Sequence, residues 1–319
     1  MNRTNTIQSI TRLAPSPTGA LHLGNARTFL VNWAVARKAN WQILLRIEDL
    51  DGPRIKADAA ESCMRTLTWL GIDWDSGPIV QSHDLSPYIE AMQRLAAAGC
   101  TYPCDLSRKD IEAAASAPQE GSHESRFPPE LRPAAVLRGF DAKTSSWRFA
   151  VPDVQVDFKD GFAGHQICRP FDTIGDFVIW TKREQPAYQL AVVVDDFRQG
   201  VTDIVRGDDL LDSAARQLLL YRALGYNLEP RYTHLPLVCG EDGKRLAKRH
   251  GDTRVDSYQA LGVPAEGIIG LIAYWCGLHN QRTKLSASEF AAGLNLDTIP
   301  RSPITFTAQD HAWLLSLAP

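Results

Sequence analysis

The chain has 319 residues, of which 44% are hydrophobic and 22% are charged, and its formal net charge is −3. This composition is that of a globular protein with room for two domains. The polar first ten residues lack the apolar run of a signal peptide, and the most apolar stretch, 268–278, is too short to span a bilayer. Six cysteines without a Cys-x-x-Cys pair argue against a disulfide framework. A cytoplasmic protein is therefore expected, and the charge neither favours nor excludes a nucleic-acid partner, since phosphates respond to local patches.

The first hundred residues alternate between predicted strands and predicted helices. The predicted strands are 9–13 and 42–47, and the predicted helices are 25–38, 57–70 and 86–98. A loop rich in proline and glycine, residues 14–24, joins the first strand to the first helix. This alternation predicts a parallel α/β sheet.

The middle of the chain has a different character. Residues 100–138 are rich in Ala, Pro and Ser, which indicates a loosely structured insertion. Short β-like runs follow at 147–151, 154–158, 177–181 and 189–194. The α/β alternation returns with a strand at 203–206, a helix at 212–224 and a strand at 234–238, and the tail has predicted helices at 264–276, 287–294 and 308–315. We therefore predict a Rossmann-like catalytic domain in two halves, 1–99 and 195–253, an inserted α+β subdomain, 100–194, and a helical C-terminal region, 254–319.

A first motif lies where the first strand leads into the first helix. Residues 12–19 read Arg-Leu-Ala-Pro-Ser-Pro-Thr-Gly, and His22-Leu23-Gly24-Asn25 follows. Such a loop directs backbone N–H groups and a positive helix end at one point, which suits a phosphate. Gly24 lets a nucleotide approach the backbone, and His22 can donate to a phosphate oxygen. An isolated His-x-Gly pattern is more often a plain turn with a capping histidine, but the strand-to-helix context raises its specificity.

A second motif is the basic segment Arg245-Leu246-Ala247-Lys248-Arg249, after a predicted strand. A mobile lysine there can neutralise charge that develops on a transferring phosphoryl group. Taken alone, the segment is better explained as a solvated basic loop. It lies more than two hundred residues after the first motif, behind another predicted strand. This position is what we expect for the second of two motifs that form one nucleotide site.

The two motifs resemble the HIGH and KMSKS signatures of class I aminoacyl-tRNA synthetases, with Arg245 and Ala247 departing from the second. Residues 12–19 and 46–49 are similar to the glutamyl subgroup. Residues 187–196 and 205–207 resemble a narrower group of glutamyl-tRNA synthetase paralogues that lack the anticodon-binding domain and act on queuosine in tRNA(Asp). The resemblance covers about residues 9–280, and the short remainder leaves little room for a second RNA-binding domain. It implies a Rossmann-like fold, ATP and Mg²⁺ as cofactors, and glutamate and tRNA as partners.

The resemblance also assigns residues. The implied glutamate site comprises Arg12, Ala14, Ser16, Glu48, Tyr188 and Arg206. The implied ATP site comprises His22, Gly24, Asn25, Arg245 and Lys248, of which His22 and Lys248 are the catalytic pair. Arginine forks suit carboxylates and a glutamate side chain suits an ammonium group, although an arginine is more often part of a surface ion pair.

A zinc site common in this family is degenerate here. Its Cys-x-Cys and later Tyr-xxx-Cys ligands correspond to Cys104, Leu106, Phe127 and Leu131. One thiolate cannot hold a tetrahedral zinc, so we predict no metal and a small hydrophobic cluster in its place. A rearranged site using Cys100 and His123 stays open.

Three competing functions are kept. They are a truncated synthetase that charges tRNA(Glu), a small-molecule nucleotidyltransferase, and a non-catalytic RNA-binding paralogue. The predicted basic contacts to RNA are Arg183, Arg198 and Arg216, each of which is alternatively a solvated surface charge. We expect a monomer without a membrane partner.

Overall fold

The computed structural model describes residues 8–17, 20–50, 58–107, 110–111, 126–134, 138–143, 145–244, 246 and 253–319. The predicted residues Arg245, Lys248 and His123 lie outside this described part of the chain. Among the described helices, none is long and apolar enough to cross a membrane.

The strands are β1 (Ile10–Leu13), β2 (Gln42–Ile47), β3 (Ser76–Val80), β4 (Thr101–Pro103), β5 (Trp147–Phe149), β6 (Val156–Asp160), β7 (Gly164–Cys168), β8 (Phe177–Thr181), β9 (Gln185–Pro186), β10 (Asp203–Gly207), β11 (Arg231–Leu235), β12 (Val238–Cys239) and β13 (Ile304–Thr305). The helices are α1 (Leu23–Lys38), α2 (Ala59–Trp69), α3 (Ser86–Ala97), α4 (Pro170–Thr173), α5 (Tyr188–Arg198), α6 (Leu211–Ala223), α7 (Val255–Ala260), α8 (Ala265–Trp275), α9 (Ala287–Gly293) and α10 (Ala308–Leu315).

A parallel arrangement of strands forms the centre of the fold. β1 pairs with β2 and β2 pairs with β3, all in parallel, and β10 pairs in parallel with β11. The backbone N–H of Thr202, just before β10, donates to the carbonyl of Ile10 in β1 at 2.9 Å. The pair β10-β11 therefore adjoins the three-stranded sheet β3-β2-β1 at β1. The carboxyl ends at such a switch point form a crevice for ligands, and the parallel α/β fold expected from the sequence is confirmed.

Helix α1 is held against the sheet by polar as well as apolar contacts. Asn32 donates to the carbonyl of Arg12 at 2.9 Å and accepts from the Thr11 hydroxyl at 3.0 Å. Arg27 donates to the carbonyl of Pro236 at 2.7 Å. These bonds fix α1 relative to β1 and to the segment after β11.

The predicted strand 189–194 is wrong, because this segment belongs to helix α5. Its run of three valines suggested a β-strand, but all residues from Gln189 to Asp196 are buried. A helix that is buried all round has no amphipathic period, and tertiary packing overrides the β-propensity of valine. The predicted boundary at 194/195 therefore falls inside a helix, and the division into domains stays a prediction.

Other differences concern strands, and β4, β7, β9 and β13 were not predicted. The exposed strand β3 was not predicted, because Ser76 to Val80 contains a Gly-Pro pair and is mostly exposed. The predicted strand 234–238 is two strands, β11 and β12, which Pro236 separates.

The expected apolar replacement of the zinc site is present for three of its four positions. Cys104 and Phe127 are buried in one cluster with Tyr102, and Leu131 packs against them. Leu106 is 39% exposed and lies outside this cluster. The described residues hold no group of three potential metal ligands, and the lack of zinc stays a prediction that metal analysis can test.

The glycines of α8 supply a test of the packing. A Cβ on Gly270 would overlap the backbone carbonyl of Thr283, whereas the nearest atoms to a Cβ on Gly267 belong to side chains, first of all the far end of Leu317. Gly270→Ala should lower the free energy of unfolding by about 1–3 kcal/mol, because a packed backbone cannot yield. Gly267→Ala, the matched control, should be neutral or stabilising in the same urea titration, because alanine favours helix. Equal effects of the two changes would contradict this packing.

Candidate active site

A cavity of about 610 Å³ opens at the carboxyl ends of β1, β2 and β10. Every described residue predicted for the glutamate and ATP sites lines it: Arg12, Ala14, Ser16, His22, Gly24, Asn25, Glu48, Tyr188 and Arg206. Its size is that of a small-molecule site. The fold thus brings these residues to one place, and the role of each stays a prediction.

His22 caps helix α1 and faces this cavity. Its Nδ1 accepts a hydrogen bond from the backbone N–H of Asn25 at 3.3 Å. In the neutral imidazole the proton then lies on Nε2, which makes Nε2–H the donor. A Cβ on Gly24 would lie 3.1 Å from the His22 ring, so the glycine makes room for this cap. The capping role and a phosphate-binding role of His22 are therefore compatible.

The guanidinium of Arg206 is buried against neutral acceptors. Its side chain donates to Gln217 Oε1 at 2.9 Å and to the carbonyl of Leu210 at 3.2 Å, and it lies over the Tyr232 ring. Arg206 is only 5% exposed, and no carboxylate of the described chain lies within salt-bridge distance of it. A buried cation without an anionic partner is costly. The cavity wall therefore holds a positive charge suited to an anionic ligand.

Arg206 is also oriented by a buried histidine. Its Nε donates to Nε2 of His234 at 2.9 Å, and Nδ1 of His234 lies 2.6 Å from Asp160. Burial, together with the charge of Arg206, lowers the pKa of His234 despite the bond to Asp160. The imidazole is therefore neutral, with Nδ1 donating and Nε2 accepting.

Asp160 in turn is fixed by the hairpin of β6 and β7. Burial acts to raise its pKa, but hydrogen bonds from His234 and from the backbone of Ala163 and Phe162 lower it. An ionised Asp160 selects the tautomer of His234 that can accept from Arg206. Asp160 thus orients His234, and His234 orients Arg206. Residues that lie behind a functional site commonly orient the residues of that site in this way.

A second buried network joins two further charged residues of the cavity lining, Arg12 and Glu48. Asp196 Oδ1 accepts from Arg46 Nη1 at 2.7 Å and lies 3.3 Å from Arg12 Nε. Arg46 also donates to Glu48 at 2.9 Å. Burial raises the pKa of Glu48, although Arg46 and Arg12 act to lower it. Asp196 thus positions Arg12 directly, and it positions Glu48 through Arg46.

Sequence patterns missed the residues behind the cavity wall. Asp160, His234 and Gln217 received no predicted role, and Asp196 and Arg46 appeared only as letters of resembling segments. Asp160 and His234 are 74 positions apart, so only the folded chain places them together. Asp160 lies beyond the predicted β-run 154–158, and no sequence pattern singled it out.

Comparison with known proteins finds relatives that are all tRNA synthetases or tRNA ligases. The model of the family described as tRNA synthetases class I (E and Q), catalytic domain, matches residues 8–309. A glutamyl-Q tRNA(Asp) synthetase of Rhodopirellula baltica is 48% identical, over 85% of each chain. One from Symbiobacterium thermophilum is 45% identical, over 95% of this chain and 97% of the relative. Among solved structures, a glutamate tRNA ligase from Elizabethkingia meningosepticum, in complex with its amino acid, is similar with a TM-score of 0.78 and 26% identity, covering 96% of this chain and 68% of that one.

The contact between His234 and Arg206 yields a prediction. If Arg206 receives a carboxylate of glutamate, His234→Leu should weaken glutamate binding about 10- to 100-fold, because a hydrogen bond to a charged group contributes about 1.5–3 kcal/mol. His234→Gln should recover part of the loss, since its side-chain oxygen can accept from Arg206. Isothermal titration measures both, and the KM for ATP should stay within about twofold of the wild-type value.

His165→Leu is the matched control, because His165 and Asp157 form an exposed pair at the same 2.6 Å separation. It should leave glutamate binding unchanged. A loss that is equal for His234→Leu and His234→Gln, with ATP affected alike, would instead indicate a general structural defect.

Proposed function

The chain belongs to the class I tRNA synthetase family of the E and Q type, within the group of the glutamyl-Q tRNA(Asp) synthetases. From this premise we propose that it activates glutamate with ATP and transfers the glutamyl group to queuosine in tRNA(Asp). The observation that carries the choice of amino acid is Arg206, a buried guanidinium with neutral partners only among the described residues.

Glutamate matches the charges of the cavity. Its side-chain carboxylate supplies the anion that Arg206 lacks, through the forked contact that arginine favours. Its ammonium group pairs with Glu48, and Arg12 balances the α-carboxylate. The amide of glutamine carries no charge and leaves the buried Arg206 uncompensated, which disfavours it strongly.

Activation proceeds at the end of the cavity near α1. An oxygen of the α-carboxylate attacks the α-phosphorus of ATP, and the bond to pyrophosphate breaks. His22 donates from Nε2 to a phosphate oxygen, and Lys248, predicted from its motif, neutralises charge on the same group. Asp209, a carboxylate of the described lining, would help to hold Mg²⁺, and the ion would supply further charge neutralisation.

Transfer follows on the activated carbonyl. A hydroxyl oxygen of the queuosine diol attacks the carbonyl carbon and forms an ester bond. The bond from that carbon to the phosphate oxygen breaks, AMP leaves with the electron pair, and the hydroxyl proton passes to the AMP phosphate. Correct placement of the two reactants supplies most of the acceleration.

Transfer of labelled glutamate tests the proposal as a whole. With ATP and Mg²⁺, we expect label on queuosine-containing tRNA(Asp) and none on unmodified tRNA(Asp) or tRNA(Glu). Label on tRNA(Glu) would instead show that the chain charges tRNA(Glu). The structural relative from Elizabethkingia meningosepticum is named a glutamate tRNA ligase. No activation of glutamate would contradict the proposal and favour a nucleotidyltransferase or a non-catalytic RNA-binding protein.

Glu48 gives a prediction that depends on pH. Glu48→Gln should lower kcat/KM for glutamate in ATP–pyrophosphate exchange about 10- to 100-fold, because an ion-paired hydrogen bond is lost. In the wild type, kcat/KM should fall as the pH decreases through the pKa of Glu48, which lies above its ordinary value of 4.5 because the group is buried. The variant should lack this limb.

Glu61→Gln is the matched control, because Glu61 is exposed on α2 and pairs only with Arg65 there. It should keep the wild-type rate and pH profile. An unchanged acid limb in Glu48→Gln would contradict the role given to Glu48.

A further inference from the structure

A second cavity, of about 550 Å³, adjoins the first. The two cavities share Ser16, Glu48 and Tyr188, so a molecule in one lies against the same side chains as a molecule in the other. Its volume is within the range of small-molecule sites and close to that of the first cavity. No step of activation uses it.

The hairpin of β8 and β9 forms one wall of the second cavity. Its turn carries Lys182 and Arg183, and both line the cavity. Lys182 is held by Asp105 at 3.0 Å. Arg183 is exposed, and among the described residues no carboxylate lies within salt-bridge distance of it.

We propose that this second cavity receives the acceptor nucleoside of an RNA loop, with Arg183 binding its phosphate backbone. The assignment rests on the proposed function and adds the place and direction from which the acceptor approaches. The nucleoside hydroxyl reaches the activated carbonyl across Glu48 and Tyr188, while AMP occupies the first cavity near α1.

The lining of the second cavity suits a nucleoside rather than another amino acid. Leu50, Pro186 and Ala191 supply apolar surface for the faces of a base, and Gln185 supplies an amide for its polar edge. Tyr188 is 41% exposed at the junction of the cavities. Proteins that read RNA loops place unstacked bases on such aromatic and apolar surfaces.

The charges of this region favour Arg183 among the three arginines predicted to contact RNA. Arg198 lies 3.8 Å from Asp84 and 3.6 Å from Asp195, so acidic groups already balance it. Arg216 is half-buried and donates to Ser213. Arg183 alone of these three both lines the cavity and, within the described chain, has no carboxylate partner.

Two variants test the assignment by separating transfer from activation. Arg183→Glu places an anion where phosphate binds, and Ala187→Phe fills the second cavity from a position that does not line the first. Both should lower kcat/KM for queuosine-containing tRNA(Asp) about tenfold or more, while glutamate-dependent ATP–pyrophosphate exchange stays within about twofold. Arg183→Ala should also reduce the dependence of log KM on log salt concentration by about one.

Arg65→Glu is the matched control, since Arg65 is an exposed arginine of α2 paired only with Glu61 in the described chain. It should change neither half-reaction.

Two RNA substrates separate the sources of the hydroxyl: queuosine-containing tRNA(Asp) without its terminal adenosine, and unmodified tRNA(Asp) with an intact 3′ end. Labelling of the first alone identifies the loop nucleoside as the acceptor, whereas labelling of the second alone would place a 3′-terminal ribose in the cavity and overturn the assignment to a loop.

The outcomes distinguish this assignment from the proposed function. If the wild-type chain transfers glutamate and both Arg183→Glu and Ala187→Phe transfer it equally well, the assignment of the cavity is wrong while the proposed function stands. If the wild-type chain activates glutamate but labels neither RNA, the transfer step of the proposed function fails and the assignment falls with it.

Discussion

The buried carboxylate of Asp196 is the contact on which the arrangement of the cavity depends. It accepts from Arg46 and lies beside Arg12, and Arg46 reaches Glu48. Because β1, β2 and α5 contribute these residues, the same ion pairs that position the charges also tie the sheet to a helix. Removing one partner from such a buried set costs about 3–5 kcal/mol, since the others keep their desolvation penalty. The cation and the carboxylate that line the cavity, Arg12 and Glu48, are therefore positioned before any ligand binds, and such preorganisation reduces the entropy lost on binding.

The environment of Arg206 is the counterpart of this network. Asp196 neutralises charge near Arg12, whereas the partners of Arg206 are a neutral imidazole, an amide and a carbonyl. These partners fix the direction of the guanidinium without cancelling its charge. Asp160 compensates at a distance, because it is bonded to His234 and not to Arg206. The charges of Arg12 and Glu48 are thus balanced within the free protein, whereas the charge of Arg206 is not balanced by its direct partners, and this difference is what the proposal of a ligand with a second carboxylate rests on.

The sequence predicts the parallel sheet and the loop after β1, because both have strong local patterns. The strand Phe177–Thr181 and the helix Ala308–Leu315 have the predicted bounds. Helix α5 was misread because burial on all sides removes the amphipathic period. The contacts of Arg206 could not be predicted, because Asp160 and His234 meet only where β6 lies against the distant strand β11. Local patterns therefore locate the cavity, and tertiary contacts decide which of its charges is left for a ligand.

Amino-acid-dependent exchange of pyrophosphate into ATP tests most directly whether the charge of Arg206 selects a side-chain carboxylate. The exchange rate is measured for the wild-type chain with glutamate, glutamine and aspartate at equal concentrations. Exchange with glutamate should exceed exchange with glutamine by about a hundredfold or more, because glutamine leaves a buried charge unpaired. Aspartate should be poor because its carboxylate is one methylene short of Arg206. Comparable rates with glutamate and glutamine would contradict the selection of a carboxylate by this cavity.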